Sequence, residues 1–328
     1  MIRAVLEPHR SFEIVRRRTL FYRDGASVEL DRSAHVRAAS SLVWVGKKLV
    51  AVQDDANFLA VIDPESGEVE SVTLPPSSEG HREFDDLRGN KKSKLDFEGA
   101  FTVKTSDGIA LYALGSGSIA GTRDYILRAR FDETLAILGV ELVFAGSFYE
   151  MLRSTLSFSG SELNLEGALV RGEKLLLLQR GNGAPHGDIL PVSAFAEVNL
   201  RAFLTYLEAP TTSDPPLLEN VTAIDLSSFG RLTLTDAALT EDGSLVVIGA
   251  EEASPDATRD GIVSRVAIAF VEGDEVRCVF LRSADGSLLA DKIEGIAALP
   301  NGAFHLVVDA DDPRVPATLL TVAPRSRA

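Results

Sequence analysis

The stretch Phe97-Glu98-Gly99-Ala100-Phe101 determines the interpretation of this chain, because related phrases return at intervals of about 60 to 70 residues. Such intervals are typical of repeats built from small β-sheets. Together with the apolar run that follows each phrase, the spacing predicts an all-β fold, a β-propeller. The other copies are Leu165-Glu166-Gly167-Ala168-Leu169, Thr235-Asp236-Ala237-Ala238-Leu239, Ile293-Glu294-Gly295-Ile296-Ala297 and, without an acid, Ala39-Ser40-Ser41-Leu42-Val43.

Each repeat shows the same order of predicted elements. The phrase opens a first strand, a tight turn such as Ser106-Asp107-Gly108 follows, and a second apolar strand returns. Ser, Asp and Gly suit such turns because they tolerate the backbone angles of a hairpin. Residues 149–155 are the only stretch predicted as a helical turn. Third strands are predicted at 58–62, 125–129, 194–198, 263–270 and 317–322.

The repeats predict a single β-propeller domain over residues 1–328. We count five blades, and a count of six stays open because residues 1–38 or the long third and fourth repeats have room for another. The last repeat lacks an outer strand, so the N-terminal segment 1–38 is expected to supply it and close the ring. Residues 75–95 form a long, charged loop between blades, either a lid or a solvated connector.

The composition excludes several classes of partner. The chain has 33 Lys and Arg against 48 Asp and Glu, a formal net charge of −15. Nucleic acids and anionic membranes require clustered positive charge, so neither is an expected partner. Met1 to Arg18 shows no continuous apolar stretch typical of a secretory signal. Taking Met1 as the start, we expect a cytoplasmic protein.

The repeated acids predict a site on the propeller axis. First strands line the channel of a propeller, so Glu98, Glu166, Asp236 and Glu294 are expected to converge there. Converging carboxylates repel one another and must spread apart, take up protons, pair with Arg or Lys, or bind a cation. Oxygen ligands of this kind suit Ca²⁺. The alternative is that the acids cap backbone N–H groups and the glycines let neighbouring strands approach closely.

A second set of residues is expected at the same mouth of the channel, because the loop after each second strand returns to it. Within this set, the phrase Arg180-Gly181-Asn182 repeats Arg88-Gly89-Asn90. Arg88, Arg180 and Asn182 are therefore candidate ligand-binding residues, since arginine offers a planar fork to phosphate or carboxylate. Alternatively, the arginines neutralise the acidic ring. The other members are Gln53-Asp54-Asp55, Gly115-Ser116-Gly117-Ser118, Glu251-Glu252 and Asp309-Ala310-Asp311-Asp312.

The blade openings also resemble a known family. Asp96-Phe97-Glu98-Gly99, Asn164-Leu165-Glu166-Gly167 and Lys292-Ile293-Glu294-Gly295 are similar to the "D-x-E-G" openings of phytase-like bacterial β-propellers, described as having esterase-like activity of phytase. A more distant similarity links them to gluconolactonase/senescence-marker propellers, which hold calcium with such acids. The resemblance implies that Glu98, Glu166 and Glu294 face the channel. Asp236 departs from the pattern because no glycine follows it.

Two functions therefore remain open at this point. The first is a calcium-dependent hydrolase of a lactone or phosphoester, with Glu98 or Glu166 as general base. The second is a non-catalytic propeller that binds a ligand or a protein. In either case the expected small-molecule ligand is anionic or sugar-like.

Overall fold

The chain folds into antiparallel four-stranded units in a computed structural model that describes residues 1–253 and 261–325. Residues 254–260 and 326–328 of the predicted single domain lie outside the described residues. Two strands precede the repeats, β1 (Ile2–Leu6) and β2 (Phe12–Thr19). The first two units consist of β3 (Ala39–Val45), β4 (Lys48–Gln53), β5 (Phe58–Ile62) and β6 (Val69–Thr73), then β7 (Phe97–Thr105), β8 (Gly108–Gly115), β9 (Tyr125–Phe131) and β10 (Ile137–Phe144).

The third and fourth units follow the same pattern, and the last takes its fourth strand from the N-terminus. Strand β2 pairs antiparallel with β21 (Thr318–Pro324), the last of the described strands. The remaining strands are β11 (Leu165–Arg171), β12 (Lys174–Gln179), β13 (Ala194–Asn199) and β14 (Glu219–Asp225), then β15 (Leu232–Leu239), β16 (Leu245–Glu252), β17 (Val263–Glu272) and β18 (Glu275–Phe280), then β19 (Lys292–Ala298), β20 (Phe304–Asp309) and β21 (Thr318–Pro324).

One connection was not predicted from the sequence. Strand β1 lies between β14 and β18 and pairs with both of them in parallel. It thereby joins the third and fourth units into one nine-stranded sheet. Edge strands of a propeller usually stay unpaired with other blades. Strand β1 instead pairs with the edge strands of both units, and it thereby covers two edges with one short segment.

The first strands of the five units surround a common axis. Contacts run from β3 to β7, β11, β15 and β19 and back to β3, which closes the cycle. The second strands are buried because they are nearly continuous apolar runs, as in β12, where Leu175, Leu176, Leu177 and Leu178 are all buried. The result is an all-β, propeller-like fold.

Every first strand carries a β-bulge at the same place. The pairing register skips one residue in each strand, and the skipped residues are Ser40, Glu98, Glu166, Thr235 and Glu294. A bulge redirects one side chain, here toward the axis. The alignment of Asp236 with the three glutamates is therefore wrong by one residue, because Thr235 holds the bulge position in the fourth unit. In a strand, a shift of one residue moves a side chain to the opposite face.

The residues that follow the bulges form a narrow layer across the axis, consisting of Ser41, Gly99, Gly167, Asp236 and Gly295. A β-carbon placed on Gly99 would lie 2.8 Å from the backbone carbon of Gly167. The glycines therefore allow the first strands to approach one another closely. Asp236 and Ser41 fill part of the space the glycines leave, and the Ser41 hydroxyl donates a hydrogen bond to Asp236 at 3.2 Å.

Replacing Gly99 with alanine is expected to destabilise the fold by about 1–3 kcal/mol, because the new methyl group meets backbone that cannot move aside independently. Chemical denaturation measures the loss. Gly139→Ala is the matched control, since its new methyl group would meet only the Arg130 side chain at 3.3 Å. Equal stability of the two variants would contradict the close packing of the first strands.

Helices are more extensive than the sequence analysis predicted. The expected turn at 149–155 belongs to α1 (Gly146–Ser154), which α2 (Leu156–Ser159) follows directly. A third helix, α3 (Leu200–Glu208), was missed although Phe203, Tyr206 and Leu207 have helical spacing and are buried. Asn199 caps it, accepting a hydrogen bond from the Ala202 amide. No described helix is long and apolar enough to cross a bilayer.

The long loop at 75–95 is held firmly to the first unit. Arg37 is 2% exposed and donates hydrogen bonds to Asp55, Glu83 and Asp85. Phe84, between two of these acids, is fully buried. A short 3-10 helix, Lys91–Ser93, ends the loop before β7. The loop is thus anchored by a buried arginine rather than freely solvated.

Candidate functional site

A small polar cavity lies on the axis directly above the bulges. Its volume is about 30 Å³, enough for about two water molecules or one partly hydrated ion. Its lining contains seven carboxylates and four cationic side chains, which leaves an excess of negative charge. The lining residues are Ser40, Asp54, Lys94, Asp96, Glu98, Arg123, Asn164, Glu166, Arg180, Asn182, Glu252, Lys292, Glu294 and Asp309.

The first side of the cavity is a group of three acids around a lysine. Single oxygens of Asp54, Asp96 and Glu98 all lie within 4.8 Å of one another. The Lys94 ammonium contacts Asp54 and lies 2.7 Å from Asp96. Arg123 contacts the other oxygen of Asp96 at 2.6 Å. Two of the three acids are therefore neutralised by side chains already present.

Glu98 is the exception within this group. Its side chain is 9% exposed, and among the described residues no hydrogen bond or ion pair is made to it. Burial and the neighbouring charges of Glu166, Asp96 and Asp54 raise the pKa of Glu98 well above its ordinary value. A buried carboxylate in this position either keeps a proton or requires a cation.

The second side of the cavity is a bridged pair of glutamates. Arg180 lies 3.0 Å from Glu166 and also contacts Glu252. The Asn164 amide donates to the same Glu166 oxygen at 2.8 Å and to the Asn182 carbonyl at 3.2 Å. The other oxygen of Glu166, Oε2, is buried and has no hydrogen-bond partner. Burial raises the pKa of Glu166 to about 7, although Arg180 opposes the shift.

The third side is centred on a second lysine. Lys292 lies 3.3 Å from Glu294, 3.6 Å from Asp309 and 2.7 Å from Asp311. Burial raises the pKa of Glu294 to about 8 and that of Asp309 to about 6, with Lys292 opposing both shifts. Each of the three sides thus places one cation between two or more acids.

The layer below the bulges closes the cavity floor. Asp236 is 1% exposed, accepts a hydrogen bond from the Ile296 amide at 3.0 Å, and does not line the cavity. Its contacts are those of a backbone-capping acid, as the alternative hypothesis expected. Beyond this layer, the axis opens into a largely apolar cavity of about 220 Å³ that includes Trp44 and Phe101.

A larger cavity, which we call the vestibule, lies above the polar cavity and shares Asp54, Lys94 and Asp309 with it. Its volume is about 320 Å³, at the lower end of the range for small-molecule sites. The loop at 75–95 forms one wall and the β20–β21 connection another. The remaining lining residues are Ala38, Asp55, Phe84, Asp85, Asp86, Leu87, Lys91, Asp311, Asp312, Pro313 and Arg314.

The structure brings together most, but not all, of the residues predicted from the sequence. Glu98, Glu166, Glu294, Arg180 and Asn182 all line the polar cavity. Asp236 lies below the polar cavity, because the bulge of its strand is at Thr235, one residue earlier.

Arg88 does not line the polar cavity. It lies in the long loop and contacts Asp31 and Glu83, each at 2.8 Å. The phrase at Arg88 precedes a first strand, β7, whereas the phrase at Arg180 follows a second strand, β12. The similarity of the two phrases therefore did not predict the location of Arg88.

Four residues that line the polar cavity were not predicted as site residues from the sequence, namely Lys94, Asp96, Arg123 and Lys292. A signal existed for two of them. Asp96 and Lys292 each stand two residues before a bulge glutamate, and alternate residues of a strand share a face. Arg123 comes from the β8–β9 connection, where no pattern marks it.

The donor set fits a hard divalent cation in part. Asp54, Asp96 and Glu98 offer the clustered oxygens that Ca²⁺ prefers, and one of them is an orphaned buried carboxylate. Lys94 lies among the same oxygens, so a metal ion would have to displace its ammonium group. The residues therefore fit a cation that competes with an internal lysine.

The comparison with known families rests on nearly the whole chain. The profile of a family of unknown function, DUF6929, matches residues 35–323. The chain belongs to this family. Among curated proteins, none matches the chain.

Solved structures are similar in fold at low sequence identity. The glutaminyl cyclase of Myxococcus xanthus has 10% identity and a TM-score of 0.50, with 100% of this chain and 99% of that chain covered. A luciferin-regenerating enzyme has 10% identity and a TM-score of 0.43, covering 98% of each chain. A glucose dehydrogenase has 9% identity and a TM-score of 0.41, covering 97% of this chain and 100% of that one. At this identity, the first of these similarities supports the propeller-like fold alone.

Proposed function

We propose that this protein is a hydrolase that depends on a divalent cation of the calcium type, held at the axial mouth of a five-bladed propeller. The observation that carries the proposal is Glu98, a buried carboxylate without a partner beside Asp54 and Asp96. Seven carboxylates against four cations leave the cavity with charge for one divalent ion. A cation would offset the desolvation of Glu98, which otherwise has to remain protonated.

The arrangement of the strands supports a count of five blades. Each four-stranded unit corresponds to one blade, and the closed cycle of first-strand contacts accommodates five of them in a single domain. A sixth blade would need further strands inside that cycle.

The residues divide into cation ligands and a proton-transfer group. Asp54, Asp96 and Glu98 would hold the ion, which supplies polarisation of a substrate carbonyl or phosphoryl oxygen when bound. Glu166 would be the general base, because it lines the polar cavity, its Oε2 has no hydrogen-bond partner, and its pKa of about 7 suits proton transfer near neutral pH. Arg180 and Asn164 hold the other oxygen of Glu166 and so orient the carboxylate.

The substrate would bind in the vestibule with its reacting bond toward the polar cavity. The cavity itself is too small for more than a water molecule and an ion, so only the reacting end of the substrate reaches it. A lactone or phosphoester oxygen meets this requirement. The phytase-like resemblance of the blade openings supports the hydrolase class, and Glu98 and Glu166 are the residues that carry it.

Glu98→Gln is expected to abolish stabilisation by calcium. At a calcium concentration 100-fold above the dissociation constant, the wild-type protein should gain about 2.7 kcal/mol by mass action. The variant should gain almost nothing, because an amide is a weak ligand. Thermal denaturation with calcium or with chelator measures the difference.

Glu173→Gln, on an exposed turn, is the matched control and should respond to calcium as the wild type does. Calcium binding that survives in Glu98→Gln would remove the proposed ion site. Turnover that is unchanged in chelator would remove the metal-dependent hydrolase altogether.

A second candidate is a non-catalytic binding propeller, and one observation favours it. Lys94, Arg180 and Lys292 already bridge acids on every side of the cavity, an arrangement that needs no added ion. This alternative predicts saturable ligand binding in the vestibule with no effect of calcium and no turnover. The calcium experiment above distinguishes the two functions.

A further inference from the structure

We propose that the substrate bound in the vestibule is an organic cation, an amine with a short apolar body, rather than an anion. The inference deepens the proposed function and rests on it only for the location of the substrate. It differs from the anionic or sugar-like ligand that the sequence analysis expected.

The charge of the vestibule is the main observation. Seven aspartates line it, against Lys91, Lys94 and Arg314. Arg37 and Lys292 contact some of these acids from outside the lining, and five cations still face seven carboxylates. The polar cavity below adds more acids than bases. An acidic concavity attracts cations and repels anions before contact is made.

Two carboxylates, one without an ion pair and one with a single paired oxygen, show where the negative charge is incompletely met. Glu98 lines the polar cavity that continues below the vestibule; it is 9% exposed and has no hydrogen bond or ion pair within the described part of the chain. Asp55 uses its Oδ2 to accept two hydrogen bonds from Arg37, while its Oδ1 is buried and has no hydrogen-bond partner among the described residues. An ammonium group beside such a carboxylate would be attracted to it, because opposite charges interact more strongly in a partly buried site than in bulk water.

The other cations near the mouth are already paired. Lys91 lies 3.7 Å from Asp86, and Arg314 lies 2.7 Å from Asp312. An anionic ligand would have to break these pairs and approach the remaining acids. A phosphoester is thus disfavoured as the substrate, whereas a neutral lactone or ester that carries an amino group fits the charge.

The apolar residues of the vestibule determine which apolar group the ligand can carry. Phe84, Leu87 and Pro313 contribute to its walls, and Leu87 is largely exposed at the rim. An amine with one aromatic or branched group would bury that group against them while its ammonium end faces Asp55. The volume of about 320 Å³ limits such a ligand to a compact molecule.

The test compares three compounds of the same shape and different charge, namely benzylamine, benzyl alcohol and benzoate. Calorimetry at neutral pH and low salt should show saturable binding of benzylamine at least tenfold tighter than that of the other two. Added salt should weaken it, since ion attraction is screened. Benzoate binding as tightly as benzylamine, or no benzylamine binding at millimolar concentration, would overturn the inference.

Rim variants locate the binding without disturbing the fold. Asp86→Asn and Asp312→Asn should each weaken benzylamine binding severalfold, because both acids line the vestibule. Asp107→Asn, on the exposed β7–β8 turn, is the matched control and should bind normally. Benzylamine binding that is equal in all three variants would place the compound elsewhere and refute the proposal.

Calcium titration of the same preparations separates the two proposals. Benzylamine binding without calcium binding would leave the inference standing and remove the metal-dependent hydrolase. Calcium binding with no preference for benzylamine over benzoate would do the reverse.

Discussion

Replacing Arg180 with methionine is expected to lower the free energy of unfolding by about 3–5 kcal/mol at pH 8. The guanidinium group bridges Glu166 and Glu252, which are 2% and 5% exposed. Methionine keeps most of the apolar contact of the arginine stem but leaves two buried carboxylates without their cation. At pH 5 the loss should be smaller, since burial raises the pKa of Glu166 and this acid can then take up a proton.

Arg128→Met is the matched control for this variant. Arg128 also bridges two glutamates, Glu141 and Glu208, but their side chains are 54% and 66% exposed. Surface pairs of this kind contribute about 0–1 kcal/mol. Urea denaturation of both variants gives the comparison, and equal losses would contradict the role assigned to burial.

Stability is expected to fall as the pH rises from about 5 to 9. The pKa of Glu166 is raised to about 7 and that of Glu294 to about 8, mainly by burial. Between the ordinary pKa of 4.5 and these values, the unfolded chain has released protons that the folded chain retains. The free energy of unfolding therefore falls as the pH rises. It levels off once the pH exceeds the folded-state pKa values of these two groups.

Other groups set the acid side of this profile. The pKa of His305 is lowered to about 4 by burial, so its contribution rises with pH up to about 6.5 and partly opposes the decline. The Arg314 side chain holds the pKa of Asp312 at about 2. Because the two glutamates outweigh the one histidine above about pH 4.5, the expected maximum lies below pH 5.

Chemical denaturation at intervals between pH 5 and 9 measures this profile. Glu294→Gln should flatten it, because one of the raised carboxyl groups is removed, whereas Glu173→Gln should leave it unchanged. Added calcium should protect more strongly at pH 9 than at pH 5, since its ligands are then ionised. Stability that rises steadily to pH 9 without calcium would show that these acids are ionised in the folded protein.

The strands could be predicted from the sequence because each is a short apolar run bounded by a turn. Strand β5 was predicted with its observed bounds, and the other third strands to within a few residues. Helix α3 was missed because it follows a third strand, a place where the other described repeats have no helix. Strand β1 was missed because its partners, β14 and β18, come from distant repeats that no local pattern connects.

The site was predicted in location more accurately than in detail. Glu98, Glu166 and Glu294 gather at one mouth because identical bulges aim them there. Asp236 was misaligned because a bulge adds one residue, which the spacing of a repeat cannot reveal. Lys94 and Arg123 come from connections of unequal length, so their approach to Asp96 depends on three-dimensional structure alone.

The placement of the first two strands has a consequence for how this protein is made. Strand β2 is synthesised long before its partner β21. Strand β1 likewise precedes β14 and β18, so both strands stay without their partners while the repeats between them are synthesised. Final closure is then a late event over a very long sequence separation, which predicts slow folding and a nascent chain that benefits from chaperone protection.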